Sequence, residues 1–213
     1  AEYSSMGPAL KRLKRRTLHA CLMHDLLSDR ADRFRAGGQV IDFDETSLQT
    51  EIDWLSSCNL IFFASANELA KVQRHLPGTQ MAWVPPDAPD YQATEDTGAP
   101  RVVFIGTVHG GNTEALNHFL DDVWPGVRAK APALDFWIAG SIGKTLTPER
   151  AALPGVKVLG RVESLESIGG ANAIGIAPTR FATGVSIKVA EYLLLGMPTV
   201  AYPLALEGFG DVL

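Results

Sequence analysis

Lys188 and Glu191 are charged residues in an otherwise apolar stretch, GVSIKVAEYLLLGMPTVAYP, residues 184–203. Their spacing of three places both side chains on one face of a helix. The N-terminus of such a helix presents unsatisfied N–H groups and positive dipole charge, which suit a phosphate. The pair therefore indicates a site in which Lys188 neutralises a diphosphate and Glu191 accepts hydrogen bonds from ribose hydroxyls. The alternative is a surface salt pair, which contributes roughly a few tenths of a kcal/mol.

The ends of this helix are also marked in the sequence. Ser186 suits the N-cap, and Gly196 suits the position that follows the last helical turn. Val189, Leu193 and Gly196 share one face, which we expect to lie against a sheet. In an open α/β sheet, the N-terminus of the helix would lie at the carboxyl end of the preceding strand, where ligands bind.

Short apolar strands alternate with helices along most of the chain. Strands are predicted at residues 17–25, 59–65, 81–85, 101–106, 134–140, 156–160, 173–178 and 199–203, and helices at 25–35, 48–58, 66–76, 112–131 and 186–196. This alternation predicts parallel sheets covered on both faces, in a doubly wound α/β fold. The proline- and acid-rich segment 87–100 lacks periodicity and predicts a linker between a domain at 1–86 and a domain at 101–213.

Composition excludes several classes of function. The 213 residues carry a formal net charge of -5, which argues against nucleic-acid binding. No apolar run approaches the roughly 20 residues that a membrane-spanning helix requires. Cys21 and Cys58 lie in apolar contexts and are interpreted as buried free thiols in a reducing cytoplasm. No cluster of cysteine, histidine or carboxylate suggests a metal, and no cofactor is predicted.

The segment from Pro178 to the ALEGF sequence at 205–209 resembles the donor-site segment of group 1 retaining glycosyltransferases, family 4. Residues 104–140 resemble the start of the C-terminal domain of that family, and residues 159–178 resemble its following strands. Residues 23–90 resemble the later half of its N-terminal domain. The resemblance implies the GT-B fold, in which two Rossmann-like domains face each other across a cleft. Both domains would be partial, and the chain truncated at both ends.

The resemblance also implies functional residues. Glu191 matches the glutamate that contacts the ribose, and His24 matches a cleft histidine with a catalytic role. Arg161 and Val162 match the edge of the base site. His109 is added because it lies on the loop that would face the donor cleft. The full set of predicted donor-binding residues is Gly106, Thr107, His109, Arg161, Val162, Thr183, Gly184, Val185, Ser186, Lys188 and Glu191.

The chain departs from the family pattern at two places. Thr183 stands where the family has its first glutamate, which holds the transferred sugar. The loop and helix start VHGGNTEA, residues 108–115, contains no lysine or arginine, although the family has a basic pair there. Lys188 or Arg180 would then have to supply charge to the diphosphate.

These observations predict a glycosyltransferase that moves a sugar from a nucleotide-sugar donor to a hydroxyl of a saccharide or lipid-linked acceptor, with retention of anomeric configuration. A nucleotide-binding module without catalysis, and a GT-B-fold epimerase or phosphorylase, are the alternatives. The basic run KRLKRR, residues 11–16, is interpreted as a solvated turn, with attraction to anionic lipid as its alternative. The expected location is the cytoplasm, either free or peripheral at the inner membrane face.

Overall fold

The computed structural model describes residues 1–13, 17–38, 41, 45–87, 91, 98–181 and 183–212. The chain divides into two compact units. The first contains the described residues of Ala1–Pro86, Phe181–Ser186 and those from Leu206 onward, and the second contains those of Asp87–Arg180 and Ile187–Ala205. Most of the predicted linker, residues 88–90 and 92–97, lies outside the described residues, as do residues 14–16 of the basic run.

The first unit is built on a three-stranded parallel sheet of order β1-β2-β3. Its elements are α1 (Gly7–Leu10), β1 (Ala20–Met23), α2 (Leu27–Ala36), α3 (Leu48–Leu55), β2 (Leu60–Phe63), α4 (Ala66–Gln73) and β3 (Gln80–Trp83). Alternate residues of β1 and β2 are fully covered, as in Cys21, Met23, Ile61 and Phe63. The core of this unit therefore lies between the sheet and the helices on that face.

The second unit is built on a five-stranded parallel sheet of order β6-β5-β4-β7-β8. Its elements are β4 (Arg101–Ile105), α5 (Gly110–His118), a π-helical turn (Phe119–Val123), α6 (Trp124–Lys130), β5 (Asp135–Ala139), α7 (Pro148–Ala151), β6 (Val156–Gly160), β7 (Ala173–Ala177), α8 (Ile187–Leu194) and β8 (Thr199–Ala201). Val102 and Phe104 of β4 join one core, and Val103 joins another that includes Tyr192 of α8. The sheet is thus covered on both faces, which confirms the doubly wound prediction.

Each predicted strand is present, in two separate sheets. The predicted helix at 112–131 is instead interrupted by the π-helical turn, because Pro125 has no N–H to continue the hydrogen-bond ladder. Leu193 was predicted to face the sheet, and this is wrong: it is 44% exposed. Val189 is buried as predicted, and Ala190 and Tyr192 complete the buried face of α8.

The end of α8 confirms the role predicted for Gly196. Its φ of 66° lies in the left-handed region that favours glycine. The N–H of Gly196 donates to Leu193 O at 3.0 Å, and the N–H of Met197 donates to Tyr192 O at 2.9 Å. These two bonds form the common glycine-terminated helix end, which turns the chain back into β8.

Candidate functional site

The topology of the second sheet defines a point at which the chain changes direction. From β4 the chain passes to β5 and β6 on one side, while β7 and β8 lie on the other side. Open α/β sheets bind ligands in the crevice at the carboxyl ends of the two strands that flank such a point. The loops after β4 and β7 therefore border the candidate site of this unit.

Tyr192 of α8 occupies the place where β4 and β7 part. Their pairing extends only from Arg101 and Ala173 to Val103 and Gly175. Beyond it, the buried Tyr192 hydroxyl accepts a hydrogen bond from the Ile105 N–H at 2.9 Å. It also lies 3.2 Å from Val103 O and from Ile176 O, either of which it can donate to. The hydroxyl thus satisfies backbone groups that the separating strands leave unpaired.

The loop after β4 is held by the loop after β5. Gly106 O accepts from the Ile142 N–H at 3.1 Å, and the Val108 N–H donates to Ser141 Oγ at 3.0 Å. Gly140 has a φ of 96°, and a Cβ there would lie 2.2 Å from Gly106 O. Residues 139–145, AGSIGKT, therefore support the Gly106–Thr107 loop.

Lys188 reaches the first turn of α5, directly after that loop. Its ammonium donates to Asn112 Oδ1 at 2.6 Å and lies 4.7 Å from the centre of the Phe104 ring. Burial lowers the pKa of Lys188 to about 8, and the charge of Glu191 acts in the opposite direction. The site thus holds a half-buried ammonium whose hydrogen-bond partner is a neutral amide.

Glu191 lies one turn along α8 and is half-buried. Burial raises the pKa of its carboxyl, and the nearby Lys188 charge lowers it. Within the part of the chain that the structure describes, its carboxylate makes no side-chain hydrogen bond and no ion pair within 4.0 Å. The surface salt pair with Lys188 is therefore not formed, and the Glu191 oxygens keep their capacity to accept hydrogen bonds.

Arg180, the other candidate for phosphate charge, has a carboxylate partner. Its Nε donates to Glu114 Oε1 at 2.8 Å, and a second guanidinium nitrogen binds the same oxygen. Glu114 lies on α5, so the positive charge is compensated inside the unit. Of the two basic residues, Lys188 is therefore the one whose charge is better placed for an anion.

The remaining residues predicted in this unit lie at the same edge of the sheet. His109 is the N-cap of α5, where its Nδ1 accepts from the Gly111 N–H at 3.3 Å. Arg161 and Val162 directly follow β6, at the carboxyl end of the outermost strand on that side. Arg161 is exposed, whereas Val162 packs against the core that contains Tyr192.

Residues 183–186 belong to the first unit. The Thr183 hydroxyl donates a hydrogen bond to the Asp25 carboxylate. Both oxygens of that carboxylate also accept hydrogen bonds from the Arg30 guanidinium. The Gly184 N–H donates to Glu68 Oε1 at 2.9 Å. Ser186, with Val185, is half-buried and directly precedes α8 in the chain.

His24 follows β1 in this same unit. A Cβ at Gly184, where φ is 70°, would lie 2.3 Å from His24 O, so the close approach requires glycine. The His24 ring lies 5.1 Å from the Tyr3 ring. The structure thus brings His24, Thr183 and Gly184 together in the first unit, and Lys188 and the Gly106–Thr107 loop together in the second.

Glu68 should give the first unit a measurable pH dependence of stability. Burial raises the pKa of its carboxyl to about 7 from 4.5, against the effect of the Gly184 N–H. The folded state then binds more protons than the unfolded state, so stability falls as pH rises through this interval. We expect Glu68→Gln to raise the free energy of unfolding at pH 8 by about 2 kcal/mol, with a smaller change at pH 5. Urea unfolding at both pH values measures this.

The exposed Glu2 provides the control, since Glu2→Gln should have the same small effect at both pH values. An equal effect of Glu68→Gln at pH 5 and pH 8 would contradict the assigned cause.

Sequence reasoning missed Asn112, Tyr192 and Glu68. Asn112 could have been found as a polar residue in the first turn of a helix that follows the predicted donor-binding residues Gly106 and Thr107. Tyr192 follows Glu191 directly, and its position in an apolar helix predicts only that it packs in the core. Glu68 gives no signal, because a glutamate in the first turn of a helix is typical of the exposed surface as well.

Both parallel α/β units are Rossmann-like, and the chain has the GT-B fold of the similar solved structures described below. A family model described as "Glycosyl transferases group 1" matches residues 99–212. The chain belongs to this family. No curated protein matches it at a significant level.

Several solved structures are similar to the chain. Sucrose-phosphate synthase from Thermosynechococcus elongatus has a TM-score of 0.68 at 16% identity, over 98% of this chain and 56% of that one. A TarM variant from S. aureus in complex with UDP has a TM-score of 0.61 at 11% identity, over 93% and 40%. A UDP-forming trehalose-phosphate synthase from Burkholderia xenovorans has a TM-score of 0.60 at 11% identity, over 94% and 57%. The chain thus spans about half the length of these proteins.

Two further findings concern the described residues. None of their helices has the length and apolar character needed to cross a bilayer. No group of three or more histidine, cysteine, aspartate or glutamate side chains is placed among them to hold a metal ion.

Proposed function

We propose that this protein transfers a sugar from a nucleotide-sugar donor to a hydroxyl acceptor with retention of anomeric configuration. The donor would bind the second unit at the carboxyl ends of β4 and β7. Membership of the group 1 glycosyl transferases supports transfer of a sugar. Retention rests on the resemblance of residues 178–209 to retaining members of that family.

The observation that carries the proposal is the position of Lys188. Its ammonium lies at the first turn of α5, next to the Gly106–Thr107 loop and at the switch point of the sheet. In this environment a fixed cation attracts an anion more strongly than it would in water, because few solvent dipoles screen its charge. Loss of the sugar leaves negative charge on the diphosphate, and a cation that is already placed there stabilises the transition state.

The other predicted residues have complementary roles in this proposal. Glu191, without an internal partner among the described residues, would accept hydrogen bonds from the ribose hydroxyls. Gly106 and Thr107 would let the backbone approach the donor closely. Arg161 and Val162 would border the base. His109 would line the donor site at the start of α5.

The first unit would supply the acceptor side. His24 is the proposed catalytic contact there, and residues 183–186 would approach the transferred sugar. A saccharide or a lipid-linked molecule is the proposed acceptor. The exposed Leu13 lies beside the basic Lys11 and Arg12. These three residues would suit a peripheral contact with the cytoplasmic side of the inner membrane.

One observation favours a nucleotide-binding module without transfer. The position of the missing first glutamate is Thr183, and its hydroxyl binds Asp25 of the same unit. Residue 183 therefore has no carboxylate that could bind the hydroxyls of the transferred sugar. Release of free sugar or of a glycosylated acceptor from a nucleotide sugar distinguishes the two functions, because a binding module would give neither.

Glu191→Gln tests the donor site. The substitution keeps the shape of the side chain but removes its charge. If the carboxylate binds ribose hydroxyls, the affinity for UDP or GDP should fall by about 1.5–3 kcal/mol, the range of hydrogen bonds to charged groups. That corresponds to about 10- to 150-fold by isothermal titration calorimetry.

The matched control is Glu149→Gln, on the exposed surface of α7, which should leave the affinity unchanged. Thermal stability without nucleotide should change little in either variant. Lost stability of Glu191→Gln with intact affinity would assign this residue to the fold and remove it from the donor site.

A further inference from the structure

Asn112 joins the loop after β4 to helix α8 through both ends of its side-chain amide. Its Nδ2 donates to Thr107 O at 3.0 Å, and its Oδ1 accepts from Lys188 Nζ at 2.6 Å. An amide has donors on one side and an acceptor on the other. The Thr107 carbonyl therefore fixes the amide orientation, and this orientation presents the oxygen to the ammonium.

Lys188 needs such a partner because its side chain is long and has many rotamers. Ordering a lysine side chain costs conformational entropy. The Phe104 ring attracts the ammonium from one side but does not fix its direction. The Asn112 oxygen is the described group that sets the direction of Nζ.

The chemical type of residue 112 also matters. An ammonium has three N–H donors, so the single bond to Asn112 leaves two of them for a ligand. A neutral amide orients the ammonium without cancelling its charge. A carboxylate at this position would pair with Lys188 and would also repel a diphosphate.

We propose that Asn112 is a positioning residue, which holds the Lys188 ammonium toward the donor diphosphate without itself cancelling the positive charge. This inference rests on the proposed function, since it assigns the geometry of the same site. Asn112 itself is not required to touch the donor.

The charged groups around Lys188 determine its pH response. On α8 the neighbouring charge is Glu191, which favours the ammonium form. On α5 the titratable residues are His109 at the N-cap, Glu114, which is paired with Arg180, and His118, which is hydrogen-bonded to Asp122. On β4 the packed group is the uncharged Phe104 ring. Nucleotide affinity should accordingly weaken above about pH 8, where burial places the pKa of Lys188.

The test is calorimetric titration of the whole chain with UDP and GDP between about pH 6.5 and 9.5, the interval around the Lys188 pKa. At pH 7 we expect Asn112→Ala to weaken binding about fivefold, through the lost orientation of Lys188. Asn112→Asp should weaken it about thirtyfold, because the carboxylate both pairs with Lys188 and repels the diphosphate. Asn112→Asp should also move the pH at which affinity begins to fall upward by about one unit.

The control is Asn172→Ala, in the same unit and ahead of β7. Asn172 Nδ2 donates to Gly98 O at 3.0 Å, so the substitution loses a comparable bond at the opposite edge of the sheet. It should leave both affinity and pH profile unchanged. Circular dichroism and thermal melting of each variant confirm that it is folded.

The outcomes separate this inference from the proposed function. If wild-type protein binds neither nucleotide, or if Lys188→Met leaves the affinity unchanged, both are overturned. If Lys188→Met abolishes binding but the folded Asn112 variants bind within twofold of wild type with an unmoved pH profile, the donor site stands and the positioning role of Asn112 is refuted.

Discussion

Lys188→Met is expected to weaken the binding of UDP or GDP by about 30- to 300-fold and to lower transfer from a nucleotide sugar by a further 100-fold or so. Methionine keeps most of the length and the apolar stem of lysine against Phe104, but removes the ammonium with its charge and its hydrogen bond to Asn112. The loss in binding reflects charge-assisted hydrogen bonds to the diphosphate. The further loss in rate reflects the negative charge that develops on the leaving group. Calorimetry and a radiolabelled-sugar transfer assay measure the two effects separately.

The same substitution should make the fold more stable. The pKa of Lys188 is about 8 in the folded state, against 10.5 as its ordinary value. The unfolded state therefore binds more protons between these values, and wild-type stability rises with pH across that interval. Below pH 8 the buried ammonium destabilises the fold, so Lys188→Met should raise the free energy of unfolding at pH 7 by about 1 kcal/mol, allowing for the unpaired Asn112 oxygen. The gain should disappear within about one pH unit above the folded pKa of Lys188, and at pH 10.5 the variant should be less stable than the wild type.

Arg128 offers a matched control for this pattern. Its guanidinium donates to Leu134 O at 2.7 Å in the same unit, away from the carboxyl edge of the sheet. Arg128→Met should lower stability and leave nucleotide affinity unchanged, which is the reverse of the result expected at Lys188. If Lys188→Met loses stability and keeps affinity, the lysine is structural and the proposed donor site has no cation.

How much of this site the sequence could predict depends on the range of the interactions. The helix 186–196 was predicted within a residue at its start, because its capping residues are local signals. The spacing of Lys188 and Glu191 predicted a shared ligand site with a surface salt pair as the alternative, and that salt pair is not formed among the described residues. The actual partner of Lys188, Asn112, is 76 residues away in the chain, and no local pattern predicts a contact over that distance.

The division of the chain into two units could likewise be predicted only in part from the sequence. The strand and helix alternation predicted both parallel sheets, since each strand carries its own apolar run. It did not predict that residues 181–186 and those from Leu206 onward belong with the first unit. That grouping depends on close backbone approach, as where a Cβ at Gly208 would lie 2.4 Å from Gly184 O. Such contacts are fixed by three-dimensional packing and leave no periodic trace in the sequence.

Tyr192 has a hydrogen-bonding role that the apolar pattern of its helix does not predict. The helical spacing marked it as core, and it is indeed fully buried. Its hydroxyl, however, bonds to the Ile105 N–H and lies near two carbonyls of the separating strands. A phenylalanine would fill the same volume and leave these groups unpaired. The sequence distinguishes the two residues only by one oxygen, whose partners come from β4 and β7.

Gly175→Ala is expected to destabilise the second unit by about 3 kcal/mol, the upper end for overpacking of a well-packed core. A Cβ at Gly175 would lie 2.4–2.8 Å from three atoms of the Tyr192 ring. The ring cannot move away freely, because its hydroxyl is bonded at the switch point. Displacement of Tyr192 would also shift α8 with Lys188 and Glu191, so UDP affinity should fall about tenfold in the folded fraction. Urea unfolding and calorimetry measure the two effects.

Gly126→Ala is the matched control, since a Cβ there meets no atom within 4 Å and the residue lies inside α6. That substitution should stabilise the unit by up to about 1 kcal/mol through helix propensity. A double-mutant cycle with Tyr192→Leu then isolates the steric cause. Removing the aromatic ring opens space for the new methyl group, so the destabilisation by Gly175→Ala should shrink by at least half in the Tyr192→Leu background. If the two substitutions are additive, the Tyr192 ring is not what excludes a side chain at position 175, and the account of how β4 and β7 are held apart at the candidate site is wrong.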